Sequence, residues 1–238
     1  MRAGEMSGGG KIAGRSDVRA AAKRQAQSRR TPDVNATQGV TTMQFRPAFI
    51  AAPVLVMGYG IVRLIDGLDG VRGPGPAWTI GHVAFLGALV AFISVFWQMR
   101  RMAGGGTLAT VSATAGTVGA LALITQFSID LVAGFLATDN YGMSMIIHDV
   151  RTLPGISQLA YDFGPYAFYL GQLVLVVLLA VQRRVKLWTP ILVLADLATP
   201  FIDKDLIPLG SALLLVSFLP LARGTAAATP TQPVPALA

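Results

Sequence analysis

Two aspartates of this chain lie within long apolar segments, where an ionised carboxylate costs several kcal/mol unless it is paired or hydrated. Asp130 lies six residues before the end of one segment, and Asp196 lies six residues before the end of another. An aspartate that apolar surroundings keep protonated can act as a general acid. We therefore take Asp130 and Asp196 as the candidate catalytic residues.

Further polar and aromatic side chains are expected at a similar depth on neighbouring segments. The candidates for lining a pocket are Tyr59, Arg63, His82, Phe85, Gln126, Phe127, Tyr169 and Gln172. Aromatic faces stabilise a developing cation, and the polar groups supply hydrogen bonds. A purely structural interpretation stays open: Arg63 pairs with Asp66, His82 bonds a backbone carbonyl, and the glutamines join helices. Asp130 also has such an interpretation, as a partner of His82 or Arg63.

The composition excludes a soluble catalytic domain. Of the 238 residues, 53% are hydrophobic and 13% are charged, whereas a soluble domain carries about 25% charged residues. The chain has no cysteine and two histidines, which argues against a disulfide framework, a thiolate nucleophile and a zinc centre. The glycine run 104–106 follows no strand and precedes no GK[ST], so it is not a phosphate loop. No metal or other cofactor is predicted.

Six apolar segments predict an all-α, polytopic bundle of six transmembrane helices. They cover about 46–66, 78–99, 107–136, 165–182, 187–202 and 206–222. Residues 1–45 are rich in Gly, Ser, Ala and Arg and predict a disordered basic tail before this 46–223 domain. Residues 224–238 are rich in Pro, Ala and Thr and predict a second disordered tail. Met43 directly precedes the first segment and is an alternative to Met1 as the start of translation.

The basic residues predict that both ends of the chain lie on the inner side of the membrane. Of the 19 Lys and Arg residues, only Arg63, Arg72, Arg151 and Lys204 fall on the expected outer side, which leaves 15 inside. Inner loops carry the excess of positive charge in membrane proteins. The predicted orientation is N-in and C-in, whether translation starts at Met1 or at Met43.

The outer connection 137–164 is too apolar to be only a linker. Its residues from Met143 to Leu153 predict a short interfacial helix, which Pro154 ends. This helix either covers the ends of the spans or gates a lateral entrance between them.

Small residues at helical spacing indicate one close helix contact. Ser112, Gly116 and Ala120 follow each other at intervals of four residues on the third segment. Such a stripe lets two helices approach closely, either within the chain or between copies in a homo-oligomer.

The chain consists of predicted spans without a soluble domain, and isolated acids lie inside these spans. In this architecture it resembles the small integral-membrane terpene cyclases of microbial secondary metabolism. The resemblance covers roughly 46–222 and is one of size and architecture, without a shared motif. Those enzymes rely on a glutamate and an aspartate, and this chain has no glutamate after Glu5. The resemblance implies that Asp130 and Asp196 start an acid-initiated cyclisation of a lipophilic, prenylated substrate, which is lyase or isomerase chemistry.

Two other classes of function stay open. A small proton-coupled transporter, or a resistance or immunity protein, uses aspartates inside spans and proline hinges such as Pro53, Pro190 and Pro200. A transporter needs a polar path to both faces, whereas the predicted polar groups gather in the outer half, which favours the enzyme. A non-catalytic scaffold subunit is the third class. The predicted partners are membrane lipid and a lipophilic small molecule, not nucleic acid, and the predicted location is a cell membrane, the inner membrane of a bacterium.

Overall fold

The computed structural model describes residues 46–68 and 70–223, of which 84% are helical and none forms a strand. The two predicted tails, 1–45 and 224–238, lie outside the described residues. The α-helices are α1 (Ala48–Asp66), α2 (Pro76–Met102), α3 (Thr107–Leu136), α4 (Asn140–Thr152), α5 (Gly164–Val181), α6 (Trp188–Ile202) and α7 (Ile207–Ala222). A π-helical turn, Ser157–Phe163, leads into α5, and a 3₁₀ turn, Lys204–Leu206, leads towards α7.

Five helical stretches are long and apolar enough to cross a membrane, which fits a multi-pass membrane protein. They are α1, α2, α3, the π-helical turn with α5, and the 3₁₀ turn with α7. The predicted all-helical class is confirmed. The fifth predicted span, 187–202, corresponds to α6, whose 15 residues extend about 22 Å at 1.5 Å per residue, against about 30 Å of hydrocarbon.

The fourth span begins earlier than the sequence predicted, at Ser157 instead of residue 165. The Gly164–Pro165 pair suggested a break, but Pro165 lies in the first turn of α5, where its missing N–H needs no partner. The π-helical turn therefore continues into α5 without interruption, and the residues of this span lie deeper in the bundle than expected.

The predicted short helix in the outer connection is α4. Asp139 caps its start, where the side-chain oxygen accepts a hydrogen bond from the Gly142 N–H at 2.7 Å. The helix ends at Thr152, two residues before Pro154. Met143 is its buried residue, and α4 packs against α3.

The helices other than α4 form a closed ring in chain order. Contacts run from α1 to α2, α2 to α3, α3 to α5, α5 to α6, α6 to α7, and from α7 back to α1. The α5–α6 contact is the sparsest of these, and α5 also reaches α2 across the ring. Where the ring closes, the Arg46 N–H donates to the Ala222 carbonyl oxygen at 3.1 Å.

Glycines hold α3 and α5 at backbone distance. A β-carbon at Gly171 would lie 2.5 Å from the backbone nitrogen of Gly116 and 2.7 Å from the Ser112 carbonyl oxygen. Ser112 and Ala120 are buried here as well. The small-residue stripe is thus used within the chain, against α5, which is one of the two predicted alternatives. A homo-oligomer stays a prediction, and it would need a surface other than these buried residues.

Apolar side chains fill the interior of the bundle and also cover its outward faces. Phenylalanines fill the interior: Phe49 packs edge-on against Phe218 at 5.5 Å between ring centres, and Phe92 against Phe168 at 5.0 Å. The outward faces are also apolar, as at Val83 and the many other exposed large hydrophobic side chains. A surface this apolar is typical of contact with lipid and not with water.

We expect Gly171→Ala to lower stability by about 1–3 kcal/mol, because the added methyl group meets backbone atoms that cannot move aside. Thermal unfolding of the purified protein in detergent measures this. The matched control is Gly58→Ala on α1, where a β-carbon meets nothing within 4 Å and alanine should gain about 0.5–1 kcal/mol. Equal effects of the two variants would contradict the backbone contact.

Candidate functional site

Four of the predicted pocket residues form one aromatic cluster at the end of the bundle that carries α4, called here the α4 end. Phe85 of α2 stacks on Phe127 of α3 at 4.2 Å between ring centres. Tyr59 of α1 lies 4.8 Å from Phe85 and 5.7 Å from Phe127. The His82 ring is 5.3 Å from Phe127 and 4.0 Å from Trp78. The helical faces that carry these residues therefore converge in this cluster.

His82 makes the contact with a backbone carbonyl that its structural interpretation predicts. It is buried, and its Nδ1 lies 2.8 Å from the Trp78 carbonyl oxygen one turn earlier on α2. Trp78 in turn donates from Nε1 to the Asp130 carbonyl oxygen at 3.3 Å. Its indole lies against Gly134, where a β-carbon would be 2.6 Å from Nε1. Trp78 thus joins the start of α2 to the end of α3.

Asp130 is bound by a residue that the sequence analysis did not select. The Tyr161 hydroxyl of the π-helical turn donates to Asp130 Oδ1 at 3.2 Å. The Arg151 guanidinium lies over the Tyr161 ring at 4.6 Å from its centre. Arg151 and Lys204 both act electrostatically on the Asp130 carboxyl group. Within the described residues, the structure gives the Asp130 carboxyl group Tyr161 as its hydrogen-bond partner in place of His82 or Arg63, the partners of its structural interpretation.

Asp205 connects two arginines at the α4 end. Arg72 Nη2 donates to both carboxylate oxygens of Asp205, at 2.8 and 2.9 Å, and Arg63 Nε lies 3.5 Å from Oδ1. The Arg72 guanidinium also rests on Gly67 at the end of α1, where a β-carbon would be 2.7 Å from Nε. Arg63 therefore pairs with the α6–α7 connection.

Asp196 has no such partner. Its half-buried side chain makes no hydrogen bond or ion pair within residues 46–68 and 70–223. Its Oδ1 lies against α7, 2.9 Å from where a β-carbon of Gly210 would stand. The Thr199 hydroxyl donates to the Asp196 backbone carbonyl at 2.7 Å and leaves the carboxyl group unbound.

Two tyrosines interact electrostatically with the two aspartates. Tyr169 of α5 is within electrostatic range of both Asp196 and Tyr59, and Tyr59 is within range of Asp130. Phe201 of α6 packs edge-on against Tyr169 at 5.8 Å.

Gln172 lies far from the aromatic cluster at the α4 end. Its neighbour Gly171 packs on Gly116, and Gly116 packs on Phe96 of α2. Phe96 is 14 residues beyond His82, or about 21 Å deeper at 1.5 Å per residue. Gln172 is thus far from the α4 end, because its span begins at residue 157.

Both glutamines carry unsatisfied polar atoms. Gln172 is 1% exposed, and neither its amide nitrogen nor its amide oxygen has a partner within the described residues. Oε1 of Gln126 is also buried without a partner there. A buried polar atom without a partner costs about 1–3 kcal/mol, so these side chains are not explained by helix packing.

Open space near the site is small. A crevice of about 10 Å³ at the α4 end has room for about one water molecule; it is lined by Tyr59, Arg63, Asp66, Ala77, Trp78, Gly81 and His82. A larger open groove of about 560 Å³ lies outside it, between the start of α2 and the end of α3. No group of three His, Asp or Glu residues that could hold a metal ion lies within the described part of the chain.

Trp78, Tyr161, Arg72 and Asp205 were missed because their partners are distant in sequence, by 31 to 133 residues. The sequence analysis assigned Tyr161 to the connection 137–164. The depth of a residue in the bundle could be counted only from the end of a span, so it could not be obtained for a residue in a connection. For Arg72 and Asp205, the one available signal was opposite charge in two connections predicted to lie on the same side of the membrane.

We expect Asp205→Asn to lower stability by about 1 kcal/mol, because it leaves two guanidinium groups facing each other while partial exposure screens the loss. Chemical unfolding in detergent measures the change, and high salt should reduce it. The control is Asp149→Asn on α4, whose side chain is exposed. A loss at Asp205 that is as small as the one at Asp149 would show that this ion pair has no structural role.

Comparison of the chain with protein-family models, with curated proteins and with solved structures gives no match.

Proposed function

We propose that all six apolar helices, α6 included, cross the membrane, with the α4 end outside and α4 lying in the outer interface. The ring of contacts supports this, because α6 packs between α5 and α7 as a full member. The distribution of charge supports it too: Arg101, Arg184 and Lys186 lie at the end opposite α4, where the positive-inside rule predicts the cytoplasm. A span of about 22 Å is accommodated by local thinning of the bilayer.

Single cysteines on either side of α6 test this topology, since the chain has no cysteine of its own. We expect Lys204→Cys to react with a membrane-impermeant maleimide in intact cells, and Gln182→Cys to react only after permeabilisation. Both side chains are exposed, and the unmodified chain is the control for background labelling. Labelling of both positions from the same side would show that α6 does not cross.

For the function, we propose an integral-membrane enzyme that acts on a lipophilic, isoprenoid-type substrate by acid–base chemistry. Asp196 donates a proton to an alkene or epoxide of the substrate, and the cation that forms closes a ring. Loss of a proton from the cyclised cation then gives a product that is an isomer of the substrate. Asp130, positioned by Tyr161, is the candidate base for the second proton transfer.

The unpartnered carboxyl group of Asp196 is the observation that supports this most directly. A purely structural aspartate inside a helix bundle is expected to have a hydrogen bond or an ion pair, and Asp196 has neither within the described residues. It is also within electrostatic range of Tyr169, and Phe201 packs against Tyr169; both rings can stabilise a cation. The sparse α5–α6 contact is the proposed lateral access for the substrate.

Membranes containing the wild type, Asp196→Asn or Asp130→Asn, incubated with prenylated substrates and read by mass spectrometry and retention time, test the proposal. We expect an isomeric product from the wild type, a loss of at least about 100-fold in Asp196→Asn, and a smaller loss in Asp130→Asn, in line with the contribution of general acid–base groups. Both substitutions keep the shape of the aspartate, and the amide that Asp130→Asn introduces can still accept the Tyr161 hydrogen bond.

Asp149→Asn on the exposed face of α4 is the matched control and should retain full turnover. Conversion that survives in Asp196→Asn at wild-type protein levels would remove Asp196 as the acid. If well-folded wild type converts none of the substrates, the cyclase proposal fails.

Proton-coupled transport is the second candidate, and Gln172 is the observation that favours it. The sequence placed all the polar groups in the outer half, but the unpartnered Gln172 amide lies about 21 Å deeper than His82. A polar path to both faces needs such a group. Proton flux into liposomes that contain the wild type, lost in both Asp196→Asn and Gln172→Leu, would support transport over catalysis.

A further inference from the structure

Seven cations gather at the end of the bundle opposite α4, called here the cationic end. They are Arg46, Arg100, Arg101, Arg183, Arg184, Lys186 and Arg223. The aspartates of the described residues lie inside the bundle or at the α4 end, so none of them neutralises this group. None of these seven residues takes part in an ion pair within the described residues.

Hydrogen bonds between the helix ends hold this group together. The Gln182 side-chain amide donates to the Ala103 carbonyl oxygen at 3.0 Å, which brings the turn after α5 against the turn after α2. Arg100 donates from Nε to the Thr110 hydroxyl at 2.8 Å and lies 5.4 Å from the centre of the Trp97 ring. Arg46 donates to the Met102 sulfur at 2.7 Å. The turn that follows Arg101 and the turn that carries Arg183 and Arg184 are therefore held against each other.

Arg183 occupies a position that normally favours glycine. Its φ is 57°, the left-handed region, and it is the one residue other than glycine with positive φ within the described part of the chain. Helices commonly end on glycine in this conformation, because an added β-carbon is strained there. An exposed arginine at this position makes the backbone less stable than a glycine would. A ligand bound by the arginine side chain would explain why arginine is present here.

We propose that the cationic end binds the headgroup phosphates of anionic phospholipids, with Arg183, Arg184 and Lys186 on the α5–α6 turn as the centre of the site. Trp97 and Trp188 near the ends of their helices place this surface at the level of the headgroups. Residues 1–45 carry eight Lys and Arg against three acids, and 224–238 carry no charged side chain. The rest of the chain therefore adds positive charge and supplies no acidic segment that would occupy the site.

The binding is measured on the full chain in nanodiscs of phosphatidylcholine with increasing phosphatidylglycerol, from the melting temperature and from the lipid retained in native mass spectrometry. We expect phosphatidylglycerol to raise the melting temperature of the wild type, and inorganic phosphate to leave it unchanged. Neutralising Arg183 and Arg184 together as glutamines should weaken phosphatidylglycerol binding about 25-fold, or about fivefold for each charge. The matched control neutralises Arg151 and Lys204 at the α4 end and should bind as the wild type does.

Arg183→Gly separates binding from backbone stability. In phosphatidylcholine alone it should melt at a higher temperature than the wild type, because glycine fits the left-handed conformation. With phosphatidylglycerol it should bind about fivefold more weakly. Wild-type affinity of this variant or of the double glutamine variant overturns the proposal. So does stabilisation by free phosphate equal to that by the lipid, or tighter binding of a short DNA duplex.

Discussion

The backbone contact between α3 and α5 positions most of what could be functional in this protein. A β-carbon at Gly171 would meet the Gly116 backbone, and one at Gly164 would meet the Ala122 side chain. These contacts determine the depth of α5 and of the π-helical turn that precedes it. Because α5 cannot slide, Tyr161 reaches Asp130, while Tyr169 comes within range of Asp196 and Gln172 is held in the core.

Electrostatics divide the bundle along its axis. At the α4 end, the Asp205 carboxylate neutralises Arg63 and Arg72, and Asp130 has Arg151 and Lys204 as neighbours. At the opposite end, cations have no acidic neighbours within the described residues. A carboxyl group in the apolar middle is costly in its charged form, which is why Asp196, without a partner, is the residue on which the proposed chemistry depends.

Several features of the site could be predicted from the sequence because they depend on periodicity within one helix. Tyr59, His82, Phe85 and Phe127 were placed at one depth by counting residues from span ends, and the structure brings their rings together. Gln172 was misplaced because the same count started from residue 165. A π-helical turn has no sequence signal as clear as a helical apolar stripe, so the true start of that span could not be read from the residues.

Contacts between distant segments could not be predicted at all. Tyr161 with Asp130, and Arg72 with Asp205, join residues whose proximity depends on the relative depth and rotation of whole helices. The short α6 shows the same limit, because its sequence predicts an apolar helix, whereas its place in the ring follows only from its contacts with α5 and α7.

The closed ring has a consequence for biosynthesis. Helices that follow each other in the chain are also neighbours in space, so α1 to α6 can associate pairwise as they leave the ribosome. The exception is the last contact, since α7 packs against α1 and the Arg46–Ala222 hydrogen bond joins the two ends of this order. This contact of α1 must therefore wait until α7 has been synthesised. A nascent chain that stops before α7 keeps an unpaired face on α1, by which quality-control proteases could recognise incomplete copies.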